Sequence, residues 1–170
     1  SYVVSRKGNT LADDAIEAAL FGLSNVKKYS YLDRGSDERQ YCAPGIDLPV
    51  CCFLRSKSEY PEYHTHKDNF NVVTQKGLEG SFKVVKKIID AIELELYPKT
   101  NMFGEPNLSK RGLYTTLSQK GKNDTVRLRL NLIAQSDGMT NIFKIAKLLK
   151  EPLDKLCNEY SLLKSKKVLK

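Results

Sequence analysis

The hydrophobic positions of this 170-residue chain change their period several times, and each change predicts an element. Tyr2-Val3-Val4 reads as the end of a strand, cut by the polar run Arg6-Lys7-Gly8-Asn9. Leu11, Ala15, Ala18, Ala19 and Leu20 then recur at helical spacing, with Thr10 as N-cap and Gly22 as the stop. Asp13 and Asp14 fall in the first turn, where carboxylates suit the helix dipole. Residues 26–32 alternate and predict a strand; residues 49–54, Pro-Val-Cys-Cys-Phe-Leu, are an unbroken apolar run that predicts a strand buried on both faces. Two turn-rich loops follow these strands, over residues 33–48 and 55–71. Across residues 74–96 the helical period returns, with Leu78, Phe82, Val85, Ile88, Ile89, Ile92 and Leu96 on the apolar side, until Tyr97-Pro98 ends it. Helices alternating with strands are the rhythm of an α/β layered domain, but so few strands read as part of a larger sheet.

The last third has a different rhythm. Residues 98–124 read as an extended connection punctuated by Gly and Pro, including the basic turn Ser109-Lys110-Arg111-Gly112. Three short helical patterns follow. Val126, Leu128, Leu130, Leu132 and Ile133 mark the first, stopped by Ser136-Asp137-Gly138. Ile142, Ile145, Ala146 and Leu149 mark the second, with Thr140 as its expected N-cap. Pro152 opens the third, with Leu153, Leu156, Cys157 and Tyr160 inward. Lys166-Lys167-Val168-Leu169 then begins a wing. Three short helices with a tight turn between the last two predict a winged helix-turn-helix domain over residues 125–170, behind an α/β domain over residues 1–97.

Charge sharpens this division. The formal net charge is +8, yet the chain up to Pro98 sums to −1 and the remainder to +9. The basic surface therefore belongs to the C-terminal module, where nucleic acid or another acidic partner is the expected match. Lys144, Lys147 and Lys150 form a cationic stripe on the second of the three helices, but the third offers only Lys155, Asn158 and Glu159, a thin set for reading bases. Nucleic acid is thus admitted as a partner but not favoured over protein docking. Cys42, Cys51, Cys52 and Cys157 contain no C-x-x-C pair and read as small buried hydrophobes of a reducing cytoplasm. With no apolar run near eighteen residues and no signal-peptide pattern, membrane and secreted readings are set aside in favour of a cytoplasmic protein.

The unusual chemistry lies in the two loops, Gly35-Ser36-Asp37-Glu38-Arg39-Gln40-Tyr41-Cys42 and Glu59-Tyr60-Pro61-Glu62-Tyr63-His64-Thr65-His66-Lys67-Asp68-Asn69. Loops leaving strand ends are where open α/β sheets bind ligands. Imidazole beside carboxylate suits zinc, although His-x-His with scattered acids is a weak signal by itself.

Tyr63-His64-Thr65-x-x-Asp68 resembles the His-Thr-x-x-Asp element of the co-catalytic zinc aminopeptidases, the bacterial leucyl aminopeptidase-type exopeptidases. Gly35-Ser36-Asp37, followed by Ala43-Pro44-Gly45-Ile46-Asp47-Leu48-Pro49, resembles their substrate-side loop and the strand after it. These motifs, together with Lys110-Arg111-Gly112-Leu113-Tyr114, are similar over nearly the whole chain to aminopeptidase-like bacterial proteins. Those proteins carry a C-terminal winged helix and are often encoded beside polysaccharide-biosynthesis genes.

The resemblance implies an α/β fold: the C-terminal part of a zinc-exopeptidase-like sheet with flanking helices, then a small winged helix-turn-helix domain. It implies His64 as ligand of one zinc in a paired-metal site, with Asp68 orienting the loop or a ligand behind it. It places Glu38, Arg39 and Tyr41 on the substrate side, where a cation meets a carboxylate and a phenol donates to an oxyanion. His66 departs from the pattern, since a small residue is more usual there. No catalytic group is assigned. The family's first His, its metal-bridging Asp, its paired Glu and a further carboxylate would lie upstream of Thr10, and nothing here matches them. A hydrolytic zinc site needs about three protein ligands per metal. The expectation is a fragment of a zinc-dependent hydrolase acting on an N-terminal residue or related amide, inactive alone, whose partners are the missing N-terminal part and a peptide or amide substrate. The alternative is a nucleic-acid-binding or protein-docking winged helix on a non-catalytic, peptidase-derived scaffold.

Overall fold

The computed structural model describes residues 1–114 and 124–170. Among the described residues it is a mixed α/β structure with a small three-stranded sheet and six α-helices. In chain order these are β1 (Tyr2–Val3), α1 (Leu11–Leu20), β2 (Lys28–Tyr29), α2 (Glu38–Tyr41), β3 (Cys52–Phe53), α3 (Gln75–Glu95), α4 (Asp124–Gln135), α5 (Ile142–Leu149) and α6 (Leu153–Ser165). The chain divides into two compact units, Ser1–Ile89 and Asp90–Lys170, so the boundary falls within α3.

In the first unit the sheet order is β2-β1-β3, with β1 parallel to β2 and antiparallel to β3. Tyr2 and Val3 are buried at its centre, where Ala15, Ile16, Ala18, Ala19 and Leu20 of α1 are also buried. Asp13, expected only to complement the helix dipole, is buried as well and organises the chain around it. Its carboxylate accepts the Thr10 N–H (2.8 Å), the returning half of a capping box, and the Ser5 N–H (2.9 Å). It also accepts the Ser5 and Thr10 hydroxyls and the Cys51 thiol.

Both flanking strands are shorter than the sequence predicts. The alternation over residues 26–32 yields only Lys28–Tyr29, because Ser30 caps a turn of 3-10 helix over Tyr31–Asp33, its hydroxyl accepting the Leu32 N–H (3.1 Å). The apolar run 49–54 pairs only at Cys52–Phe53 and is half-buried rather than covered on both faces, since among the described strands it has β1 alone as neighbour. The first loop, read as turns only, contains α2.

The helix predicted over residues 74–96 forms as α3, but its inward face is not the one expected. Val84 and Ala91 are buried, while Leu78, Phe82, Val85, Ile89 and Ile92 are all more than 40% exposed. The inner face is made by the small residues Val84 and Ala91, with Gly80 against the end of the Arg55 side chain, and the large residues are left outside.

The second unit is a winged helix-turn-helix. Leu132, Ile142, Phe143, Ile145, Leu156, Tyr160 and Leu163 have no more than trace exposure and form its core. The N-cap of α5 is Asn141 rather than Thr140: its side chain accepts the Lys144 N–H (2.8 Å), whereas the Thr140 hydroxyl donates to Asp137 (2.9 Å). Phe143, left out of the predicted inward face, is fully buried, whereas Leu149 is half-buried. Lys99 and Thr100, read as part of the connection, bridge to Asp137 and Leu169, so the wing pairs with the segment entering the domain. Leu108 and Leu113 are buried too, and Gly112 takes the left-handed conformation (φ 67°) that ends the turn Ser109–Arg111. Residues 115–123 of the expected connection lie outside the described residues. Arg129 Nε donates to Glu159 Oε2 (2.8 Å) and its Nη1 to the Leu113 carbonyl (2.7 Å), joining α4 to α6 and to that turn.

Candidate functional site

The two motif loops are held by different devices. In the first, α2 begins directly after Gly35-Ser36-Asp37, and the Glu38 side chain turns back to accept the Gly35 N–H (2.7 Å) and Ser36 N–H (3.1 Å). Glu38 is 2% exposed. Burial pushes its carboxyl pKa up, but the two backbone N–H groups outweigh that effect and hold it below the ordinary value. Cys42 closes the loop, its buried thiol donating to the Leu48 and Val50 carbonyls (3.2 and 3.4 Å). Asp47, at φ 51°, pairs with Arg6 and Lys7 at 2.8 Å, and these cations hold its carboxyl well below the usual range. Arg39 and Tyr41 are exposed on the outer side of α2. The structure thus places Glu38 inward as the loop's support and leaves Arg39 and Tyr41 accessible.

The second loop is built on aromatic contacts. The Tyr60 hydroxyl donates to Asp68 Oδ2 (3.1 Å), joining the two ends of the Tyr63-His64-Thr65 turn. Burial raises the Tyr60 pKa, and the hydrogen bond to Asp68 raises it further. Tyr63 packs edge-on against Tyr60, with ring centroids 5.5 Å apart, and its other face stacks on the His64 imidazole at 4.0 Å and 17°. His64 itself is exposed and sits at φ 57°, a left-handed conformation that is uncommon for a residue other than glycine. Thr65 tightens the turn, donating to the Glu62 carbonyl (2.7 Å) and accepting the Lys67 N–H (3.1 Å). His66 is exposed beside it. Glu59 anchors the loop to β2, accepting from Lys27 (2.8 Å) and the Tyr29 hydroxyl (2.7 Å), which together lower its pKa. No local pattern in the sequence marks Glu59, because its partners lie about thirty residues away.

His64 and Asp68 therefore belong to one pinned turn. Among the described residues, no hydrogen bond, ion pair or ring contact joins that turn to Glu38, Arg39 or Tyr41. Nor, among the described residues, do three or more His, Cys, Asp or Glu side chains converge so as to hold a metal ion. The donor set present does not by itself fit a zinc centre; it offers one solvent-facing imidazole on a shaped turn. Beside the loop lies a cleft of about 370 Å³ lined by Arg55, Ser56, Tyr60, Val73, Thr74 and Leu78, among others.

No helix among the described residues is long and apolar enough to cross a membrane. The chain is 36% identical to a Clostridium acetobutylicum protein named as a candidate polysaccharide biosynthesis protein with an aminopeptidase-like domain. That match covers 67% of this chain and 27% of the relative. A crystal structure of a candidate peptidase from Clostridium acetobutylicum superposes on 99% of this chain with a TM-score of 0.76 and 28% identity, and the match is 38% of that protein. The chain thus spans well under half the length of either relative. Residues 95–170 match the winged helix-turn-helix family. Residues 1–95, more than half of the chain, match the family described as Domain of unknown function (DUF4910), and the chain belongs to that family.

Proposed function

We propose that this chain is the C-terminal part of a zinc-dependent aminopeptidase-like hydrolase, acting in the cytoplasm on an N-terminal residue or a related amide. The observation that carries the reading is the pinned His64 turn. An imidazole faces solvent there, oriented on one side by Tyr63, in a loop whose ends Tyr60 and Asp68 hold together. The names of the two clostridial relatives point the same way. Zinc, when bound, supplies Lewis acidity and activates the attacking water. This chain would contribute His64 as one ligand, Asp68 as the group fixing the turn behind it, and Arg39 and Tyr41 as cation and phenol for a substrate carboxylate or a developing oxyanion. Glu38 would keep that substrate loop in shape. The remaining ligands and the general base would come from a preceding segment of the same protein.

The test compares two proteins. The 170-residue chain should show no zinc binding tighter than about micromolar, because one imidazole is far short of the usual ligand count. A longer protein, extended by the coding sequence that precedes Ser1, should hold two zinc ions and hydrolyse aminoacyl amides. In it, His64→Ala should remove one ion and abolish turnover. Unchanged metal content and turnover in that variant overturn the assignment.

The second reading, a winged-helix docking module on a non-catalytic scaffold, is favoured by the family match of residues 95–170 and by their positive charge. Glu159 is already committed to Arg129, and Lys155 to Glu151 (2.8 Å), so α6 presents few side chains for base edges. Binding to duplex DNA that weakens steeply with salt supports nucleic acid over protein as the partner.

A further inference from the structure

We propose that the exposed face of α3 formed by Leu78, Phe82, Val85 and Ile89 is the surface on which the remaining part of a peptidase-like domain packs. This rests on the reading that the chain is one part of such a protein, and it assigns the contact surface that reading leaves open.

Three observations carry it. The first is the pattern. The four side chains follow one another at intervals of four, three and four residues, which keeps them on a single narrow stripe of the helix. They are 60%, 66%, 44% and 52% exposed. Single exposed apolar residues are ordinary, but a contiguous stripe of four on one helix marks a contact surface.

The second is that α3 already has its contact with the first unit, made chiefly through other residues; of the stripe, Leu78 also borders the 370 Å³ cleft. Gly80 lies against Arg55, and Val84 lines a cleft of about 550 Å³ with Leu20, Val26 and Phe53. The buried residues Val84 and Ala91 and the exposed stripe are centred about 150° apart around the helix, with Ile88 and Ile92 between them. Together they make a helix apolar over roughly half its circumference, the composition of a helix held between two layers.

The third is continuity. In the solved clostridial relative this arrangement is reproduced over 99% of the present chain, yet the match is only 38% of that protein. The partner whose chemistry fits the stripe is therefore an apolar layer of the same peptidase-like fold. The residues bordering the stripe, Glu79, Lys83, Lys86 and Asp90, carry two charges of each sign and offer no single-sign surface for a nucleic acid.

The experiment is thiol accessibility at the stripe. Phe82→Cys and, separately, Ile89→Cys are placed in the 170-residue chain and in the protein extended by the coding sequence preceding Ser1. Maleimide labelling is read at each position by peptide mass, with Lys76→Cys as an exposed control. Both stripe positions should label as fast as the control in the short chain and at least tenfold slower in the extended protein. Equal labelling in both proteins overturns the proposal. So does protection in the short chain that grows with its concentration, because a second copy would then be the occupant. Slow labelling in an extended protein that binds no zinc and cleaves no amide sustains the docking surface while the catalytic reading fails.

Discussion

The thiol of Cys51 donates to the carboxylate of Asp13 across 3.1 Å, tying the residue before β3 to the first turn of α1. The same carboxylate holds Ser5 after β1 and Thr10 before α1, so one buried anion fixes three points of the sheet-and-helix layer. Burial pushes the Asp13 pKa up, but the hydrogen bonds from Ser5 and Thr10 outweigh it and bring it from 3.8 down to about 2. A depressed carboxyl pKa gives stability that is present above the unfolded value and is lost as pH falls through the folded one. The expected loss is on the order of 2 kcal/mol between about pH 5 and pH 2. Denaturant unfolding of the first unit across that range checks it. Asp13→Asn should remove most of the slope and destabilise by about 1–3 kcal/mol at neutral pH, because the amide nitrogen would face donors.

The same contact makes Cys51 inert. Burial and the adjoining carboxylate both push its thiol pKa well above the ordinary value, and burial raises Cys52 as well. Cys157 is pushed up to about 11, chiefly by burial. Iodoacetamide at pH 8 should modify all three at least tenfold more slowly in the native protein than in urea, since the thiolate is the nucleophile. Fast native labelling of Cys51 would show that its hydrogen bond to Asp13 is not maintained in solution.

In the second unit, Arg129→Ala removes both an ion pair with Glu159 and a donor to the Leu113 carbonyl. The two charged side chains are only 13% and 16% exposed, so the loss should be about 2 kcal/mol, well above the value for a surface pair. Glu159→Gln should cost less, because Arg129 keeps its carbonyl. Equal losses in thermal or denaturant melts would place the whole effect in the ion pair.

Asn141→Ala should destabilise the same unit by about 1 kcal/mol, the usual value of an N-cap side chain. Thr140→Ala should cost a fraction of that, its hydroxyl being engaged with Asp137 on the exposed surface. The reverse order would return the cap to Thr140.

These two residues illustrate what the sequence could and could not disclose. That a helix starts near position 141 follows from polar residues before an apolar period. Which of two adjacent polar residues caps it depends on backbone direction, and only the three-dimensional chain gives that. The fold class, the winged helix and the order of the elements other than α2 were legible because periodicity and Gly/Pro punctuation are local. The strand lengths were not, because a strand ends where its neighbour ends, and β1 is two residues long. For α3, hydropathy favoured the larger residues, while the inner face is made by Val84 and Ala91, with Gly80 against the end of Arg55. Of the candidate site, the loops carrying His64, Asp68, Glu38, Arg39 and Tyr41 stood out by motif. The supports that shape them, Glu59 on Lys27 and Tyr29 and Tyr60 on Asp68, come partly from distant positions and leave no local trace.

The inward turn of Glu38 bears on how quickly and how selectively anything could bind beside it. With the Gly35 and Ser36 amides already occupied, those donors are withheld from a ligand, and the backbone of that loop is ordered before any ligand arrives. A molecule docking against Arg39 or Tyr41 would therefore sacrifice little chain entropy on arrival. Its selectivity would be set by the outward side chains alone, and exchanging those would retune recognition without remaking the loop.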